Sequence, residues 1–157
     1  MKFKEAVEKI PGLEKAHQAG LQALRAQDRP HIDAEDTRRL SGSVDVDTAL
    51  QKKYPKANRW DFAIGYNHVD RKAEVVYWVE LHTASDSQVK VVIKKAQWLL
   101  QWLKEEANAL ASFEREIIWV SSGATSFTLS APQTKQMAQA GLVYRGGILR
   151  IPNKRGD

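Results

Sequence analysis

Three polar side chains stand where a buried sheet should carry apolar ones: Asp61, Glu80 and His82. Glu80 and His82 close the apolar run VVYWVELH that starts at Val75, and Asp61 opens the run DFAIGY. The stretch Asn67 to Arg71 is the only turn-like break between the two runs, which predicts an antiparallel hairpin. A turn centred near Val69 and Asp70 places Asp61 opposite Trp78, give or take two residues, within reach of Glu80. Side chains alternate along a strand, so Glu80 and His82 share a face with Val76 and Trp78. Both faces of Val75 to Leu81 are apolar, as in a central strand covered on both sides. A carboxylate there is costly unless it is paired, protonated or bound to a cation. Two neighbouring carboxylates with a histidine suggest a divalent-metal site, since hard cations take oxygen ligands. Ordinary ion pairs are the competing assignment: Glu80 with Arg59, Asp61 with Lys72 or Arg71.

A helix from Gln88 to about Ala107 must follow, because Val89, Val92, Ile93, Ala96, Leu99, Leu100 and Leu103 recur at helical spacing. A second stripe carries Lys94, Lys95, Trp98, Gln101 and Trp102, with Lys90 nearer the helix start. Two tryptophans one turn apart beside lysines could stack nucleobases, or they could pack under the N-terminal helix. Glu116 to Val120 reads as a short buried strand, and strand, long helix, strand is by default a parallel crossover. The loop Ser121 to Ser126 then lies on the edge where open sheets bind ligands, although it lacks the lysine of a phosphate-binding loop. Ser130-Ala131-Pro132-Gln133 is a capping box, Gly141 ends that helix, and Leu142 to Ile151 reads as a last strand or a hairpin bent at Gly146-Gly147.

Upstream, residues 2–28 read as two helical segments broken at Pro11-Gly12, with Glu14 and His17 one turn apart as conceivable ligands or a solvated face. Residues 31–58 are polar. Asp33 or Asp36 can start a helical turn, Ser41-Gly42-Ser43 reads as a break, and Asp45 or Asp47 can cap a helix over Thr48 to Tyr54. Arg38 and Arg39 offer two adjacent guanidiniums suited to phosphate.

The 157 residues are enough for one compact domain, read here as a helical part (1–58), a core (59–121) and a C-terminal helix with one or two strands (122–157). A net charge of +5 permits nucleic-acid binding without requiring it. The absence of cysteine excludes disulfides and thiolate metal sites and fits a cytoplasmic setting. No apolar run is long enough for a bilayer, and the N-terminus MKFKEAVEKI has no apolar core of the kind a signal peptide needs.

The order helix, strand, strand with a carboxylate, helix, strand resembles the core of the PD-(D/E)XK nuclease superfamily. Asp61 matches the aspartate of its first motif, and Glu80-Leu81-His82 matches its (D/E)-x-K motif with His82 in the lysine position; Arg59-Trp60 replaces the proline. The resemblance implies an α/β restriction-endonuclease-like αβββαβ core. It implies Mg²⁺ or Mn²⁺ held by Asp61, Glu80 and the Leu81 carbonyl, and phosphodiester hydrolysis of nucleic acid. The lysine's work would fall to His82 or to a lysine displaced to the helix, namely Lys94, Lys95 or Lys90, and Glu35 or Glu14 could complete the site. Cutting both strands of a duplex would call for a homodimer or a protein partner. A domain that keeps this fold without its lysine could instead be an inactive module binding nucleic acid or protein.

Overall fold

The computed structural model describes residues 1–123 and 127–156. In chain order the elements are α1 (Phe3–Glu8), β1 (Ile32–Ala34), β2 (Leu40–Asp45), α2 (Val46–Ala49), β3 (Phe62–Tyr66), β4 (Val75–Leu81), α3 (Asp86–Glu105), α4 (Asn108–Ala111), β5 (Arg115–Val120), α5 (Ala131–Ala140), β6 (Leu142–Tyr144) and β7 (Leu149–Ile151). The fold is mixed α/β. Five strands in the order β2-β3-β4-β5-β6 form the main sheet, and β1 and β7 form a small parallel sheet of their own.

The sheet's two faces account for the two apolar clusters. Ala63, Val76, Trp78, Ile117 and Trp119 meet α1, α3 and α5 on one face. Ile64, Val75, Tyr77, Val79 and Ile118 meet the small sheet through Leu149 and Ile151 on the other. β4 is therefore central, as its apolarity on both faces predicts. It pairs antiparallel with β3, with Phe62 opposite Val79 and Ala63 opposite Trp78, and parallel with β5 across the α3 connection. Among the described residues no helix is long and apolar enough to cross a membrane.

The N-terminal half departs from the sequence reading. Only Phe3–Glu8 is α-helical within residues 2–28; the rest is a chain of tight turns laid on the edge strand β2. Ser41-Gly42-Ser43 is not a break but the middle of β2, with a bulge between Leu40 and Gly42. Its glycine and serines hid the strand, because such residues are depleted from strands generally. What they provide is close approach. Gln18 N donates to Ser43 O and Gln18 O accepts from Ser43 N, both at 2.9 Å, and Ala23 N donates to Ser43 Oγ at 3.1 Å. Gly42 has φ +133°, and a Cβ there would strike the His17 ring and lie 2.7 Å from Gln18 O. Gly42→Ala is expected to cost about 1–3 kcal/mol of stability in urea unfolding; an unchanged midpoint would mean that the turn segment does not lean on β2.

The capping residues are among those expected, but the helix expected over Thr48 to Tyr54 is a single turn at Val46–Ala49. Asp45 Oδ1 accepts from Thr48 N and starts α2, which is only one turn long, and Ser130 with Gln133 forms the box that starts α5. Leu142 to Ile151 is neither one strand nor a hairpin: β6 extends the main sheet and β7 leaves it to pair with β1.

Candidate active site

Alternation in β3 and β4 aims Asp61 and Glu80 at the same face as Ala63 and Trp78, the face that α3 covers. The two carboxylates engage each other's strands. Asp61 N donates to Glu80 Oε1 at 3.2 Å, and Leu81 N donates to Asp61 Oδ2 at 3.1 Å. Helix α3 brings in the cation: Lys95 Nζ lies 2.6 Å from Glu80 Oε2 and 3.8 Å from Asp61 Oδ1. Lys95 sits three residues after Val92 and four before Leu99, both buried, and so lies beside the helix's sheet-facing stripe. His82 completes the cluster, with Nδ1 3.6 Å from Glu80 Oε2 and Nε2 against Gln88 Oε1. Trp119 Nε1 donates to the His82 carbonyl at 2.9 Å and fixes the end of β4.

Above this cluster opens a polar pocket of about 240 Å³ lined by Asp61, Leu81, His82, Lys95 and Ser122 on one side and Arg25, Asp28, Asp45 and Asp47 on the other. Glu80 lies beneath its floor, fully buried. The pocket is at the C-terminal end of β4, where open α/β sheets place ligands.

Electrostatics follow from the burial. The Asp61 carboxyl is pushed up to about 8, first by loss of water and then by the neighbouring Glu80 charge; Lys95 and the Leu81 N–H oppose this. Lys95 is raised although burial works against its charge, because Glu80 and Asp61 outweigh that loss. The Glu80 carboxylate 3.6 Å away raises His82 against its partial burial. A carboxyl that ionises near pH 4 when unfolded and near 8 when folded makes the folded state bind more protons in between. Stability therefore falls as pH rises through that window. His82 acts in the same direction: its contribution is present below its ordinary value of 6.5 and is lost as pH rises through the raised one. Melting in metal-free buffer should give a Tm that declines from mildly acidic pH towards 8, with a shallower slope in Asp61→Asn. Parallel slopes in the two proteins would count against the raised Asp61.

The structure sorts the sequence candidates. Asp61, Glu80, Leu81, His82 and Lys95 converge. Lys90 and Lys94 are exposed on other faces of α3 and take no part. Trp102 is corrected from a base-stacking surface to a core residue: it is 3% exposed, stacks on Trp98 at 5.5 Å and meets Trp78 edge-on. Trp98 is half-buried between Trp102 and Tyr54. Arg38 and Arg39 line a different cavity with Lys2 and Lys4, where Asp36 pairs Arg38 through two hydrogen bonds. Glu14 and Glu35 accept from Gly12 N and Asn153 N and do not reach the site, and His17 binds the Ser41 carbonyl. The expected ion pairs are also replaced: Arg59 is held by Asp47 and the Tyr54 carbonyl, which leaves Glu80 to Lys95. The loop Ser121 to Ser126 lies partly outside the described residues, at 124–126.

Sequence reasoning missed Arg25, Asp28, Asp45 and Asp47 as pocket residues. Asp45 and Asp47 were legible as candidate helix starters; Asp45 caps α2, Asp47 lies in its first turn, and the Val46 and Asp47 N–H groups donate to the Asp61 carbonyl. Among the described residues no group of three or more His, Cys, Asp or Glu side chains clusters as a metal set. Comparison with protein-family profiles, with curated proteins and with solved structures finds no match in any of the three.

Proposed function

We propose that the protein is a divalent-metal-dependent nuclease of the PD-(D/E)XK type, hydrolysing phosphodiester bonds of nucleic acid. The observation that carries this reading is Lys95: a lysine from the helix meets Asp61 and Glu80 at the floor of a polar pocket. The donor set suits Mg²⁺ or Mn²⁺. Two carboxylates suffice for a cation that otherwise keeps waters and takes substrate phosphate oxygens. The raised Asp61 is what a carboxylate lacking its full countercharge looks like. Asp61 and Glu80, with the Leu81 carbonyl, would hold the ion. Bound there, it would polarise the phosphate and lower the pKa of a water.

The chain's own residues supply the rest. Lys95 lies against both carboxylates, and with a cation bound to them its ammonium would be free to meet the phosphate or the attacking water. His82, whose affinity for a proton the Glu80 carboxylate raises, can accept or hold a proton at Nδ1. Arg25 lines the pocket with no ion pair among the described residues, which leaves its guanidinium for a phosphate oxygen.

A second reading is an inactive module of the same fold binding nucleic acid or a protein partner. The Lys95–Glu80 pair favours it, because that pair balances the buried charge without a metal. Calorimetric titration with Mg²⁺ or Mn²⁺, on the natural protein and on Asp61→Asn/Glu80→Gln, separates the two. Binding lost in the double variant, followed by cleavage of DNA or RNA, supports the nuclease. No heat at millimolar metal, with nucleic acid present or absent, supports the inactive module.

A further inference from the structure

Beside the pocket lies a larger cavity of about 820 Å³, between the turn segment 12–23 and α2, lined in part by Ala16, Gln18, Gln22, Ala23, Asp45 and Ala49. Asp45 lines both spaces, so the two adjoin across its side chain. We propose that this cavity receives the unpaired nucleobase adjoining the scissile phosphate, which makes the substrate single-stranded nucleic acid; the proposal rests on the nuclease reading for the location of that phosphate.

The cavity's wall is built. Gln18 is pinned through both its backbone N–H and its carbonyl to Ser43, and Ala23 through its N–H to the Ser43 hydroxyl. The side chains of Gln18 and Gln22 are exposed and have no protein hydrogen-bond partner among the described residues, so both amides are free to meet a ligand. Amides of this kind pair with base edges, donating and accepting at once. Ala16, Ala23 and Ala49 offer an apolar surface to a base's flat face. The charged groups are few and nearly balanced, with Lys15 against Glu14 and Asp45, and Glu14 already accepts from Gly12 N. Such a lining suits an uncharged ring better than a second phosphate. The cavity is open to solvent on one side, and its volume is enough for a single ring to lie in it. A base inside a duplex enters only after it is flipped out of its stack and pair, so an unpaired base is favoured.

The test uses a labelled oligonucleotide, alone, hybridised to its complement, or carrying an abasic position next to the cut. Binding is read by anisotropy with the Asp61→Asn protein and cleavage with the natural one. The single strand should bind at least about tenfold more tightly than the duplex or the abasic strand. Gln18→Ala/Gln22→Ala should lose about the same factor on the intact strand and nothing further on the abasic one. Equal binding of duplex and single strand, or an abasic strand bound as tightly as the intact one, overturns the cavity assignment, even where cleavage shows the nuclease reading to be right. Selective binding that depends on Gln18 and Gln22, without any cleavage, upholds the cavity and overturns the nuclease.

Discussion

Lys95→Met is expected to destabilise the protein by about 3–5 kcal/mol, and Mg²⁺ or Mn²⁺ is expected to restore a large part of the loss. The variant removes the only ammonium against Glu80 among the described residues, strands a carboxylate with no exposed surface, and leaves Asp61 beside it. Truncating one partner of a buried pair strands the other charge, which costs far more than the pair itself contributes. Against a total stability of about 5–15 kcal/mol this is a large fraction. A divalent ion would take the vacated place and supply the missing positive charge, so the variant should gain more from metal than the natural protein does. Glu80→Gln/Lys95→Met should lie much closer to the natural protein, because neither charge is then stranded. Urea unfolding with and without metal measures all three. A single variant as stable as the double one would mean that water already reaches Glu80.

Asp61→Asn should move stability and activity in opposite directions. At pH 8 the variant is expected to melt higher than the natural protein, because it removes a carboxyl that burial and Glu80 hold in an unfavourable state. The amide oxygen can still accept from Leu81 N, so the β3–β4 junction keeps its hydrogen bond. Metal-dependent cleavage should fall by about 10²–10³-fold, the equivalent of about 3–4 kcal/mol of lost charge stabilisation at the phosphate. Stabilisation gained when a functional group is removed is expected at strained sites. A lower Tm with unchanged metal response would assign Asp61 a purely structural part.

Much of this arrangement was legible because two periodicities meet in it. Alternation along Val75–Leu81 placed Glu80 on the face of Trp78, and the single break before Val75 fixed the hairpin closely enough to bring Asp61 to Glu80. The helical period of α3 narrowed the lysine to a few positions but did not choose between Lys94 and Lys95, since one residue is only about 100° of helix. Packing decided it: Val92 and Leu99 are buried, and Lys95 lies between them. The same packing took Trp102 inside. The N-terminal part was illegible for a different reason. Turns carry no period, and β2 is a strand whose glycine and serines serve its neighbours rather than its own propensity. The far wall of the pocket, with Arg25 and Asp28, stands on those turns and so was missed with them.

The pairing of β1 with β7 bears on how the chain is made. Leu149 follows its partner Ile32 by 117 residues. At ribosomal speeds of about 5–20 residues per second, β1 waits roughly 6–23 s for its partner to be synthesised. Over the last 70 residues of that interval, from Val79 to Leu149, the face of the main sheet bearing Ile64, Tyr77 and Val79 lacks the cover of Leu149 and Ile151. Contacts so distant in sequence also slow the search once the chain is free, because the loop must close before the pairing repays it. Biosynthesis therefore passes through a stage in which one side of a nearly complete sheet is bare, and that stage is where a chaperone would find this protein.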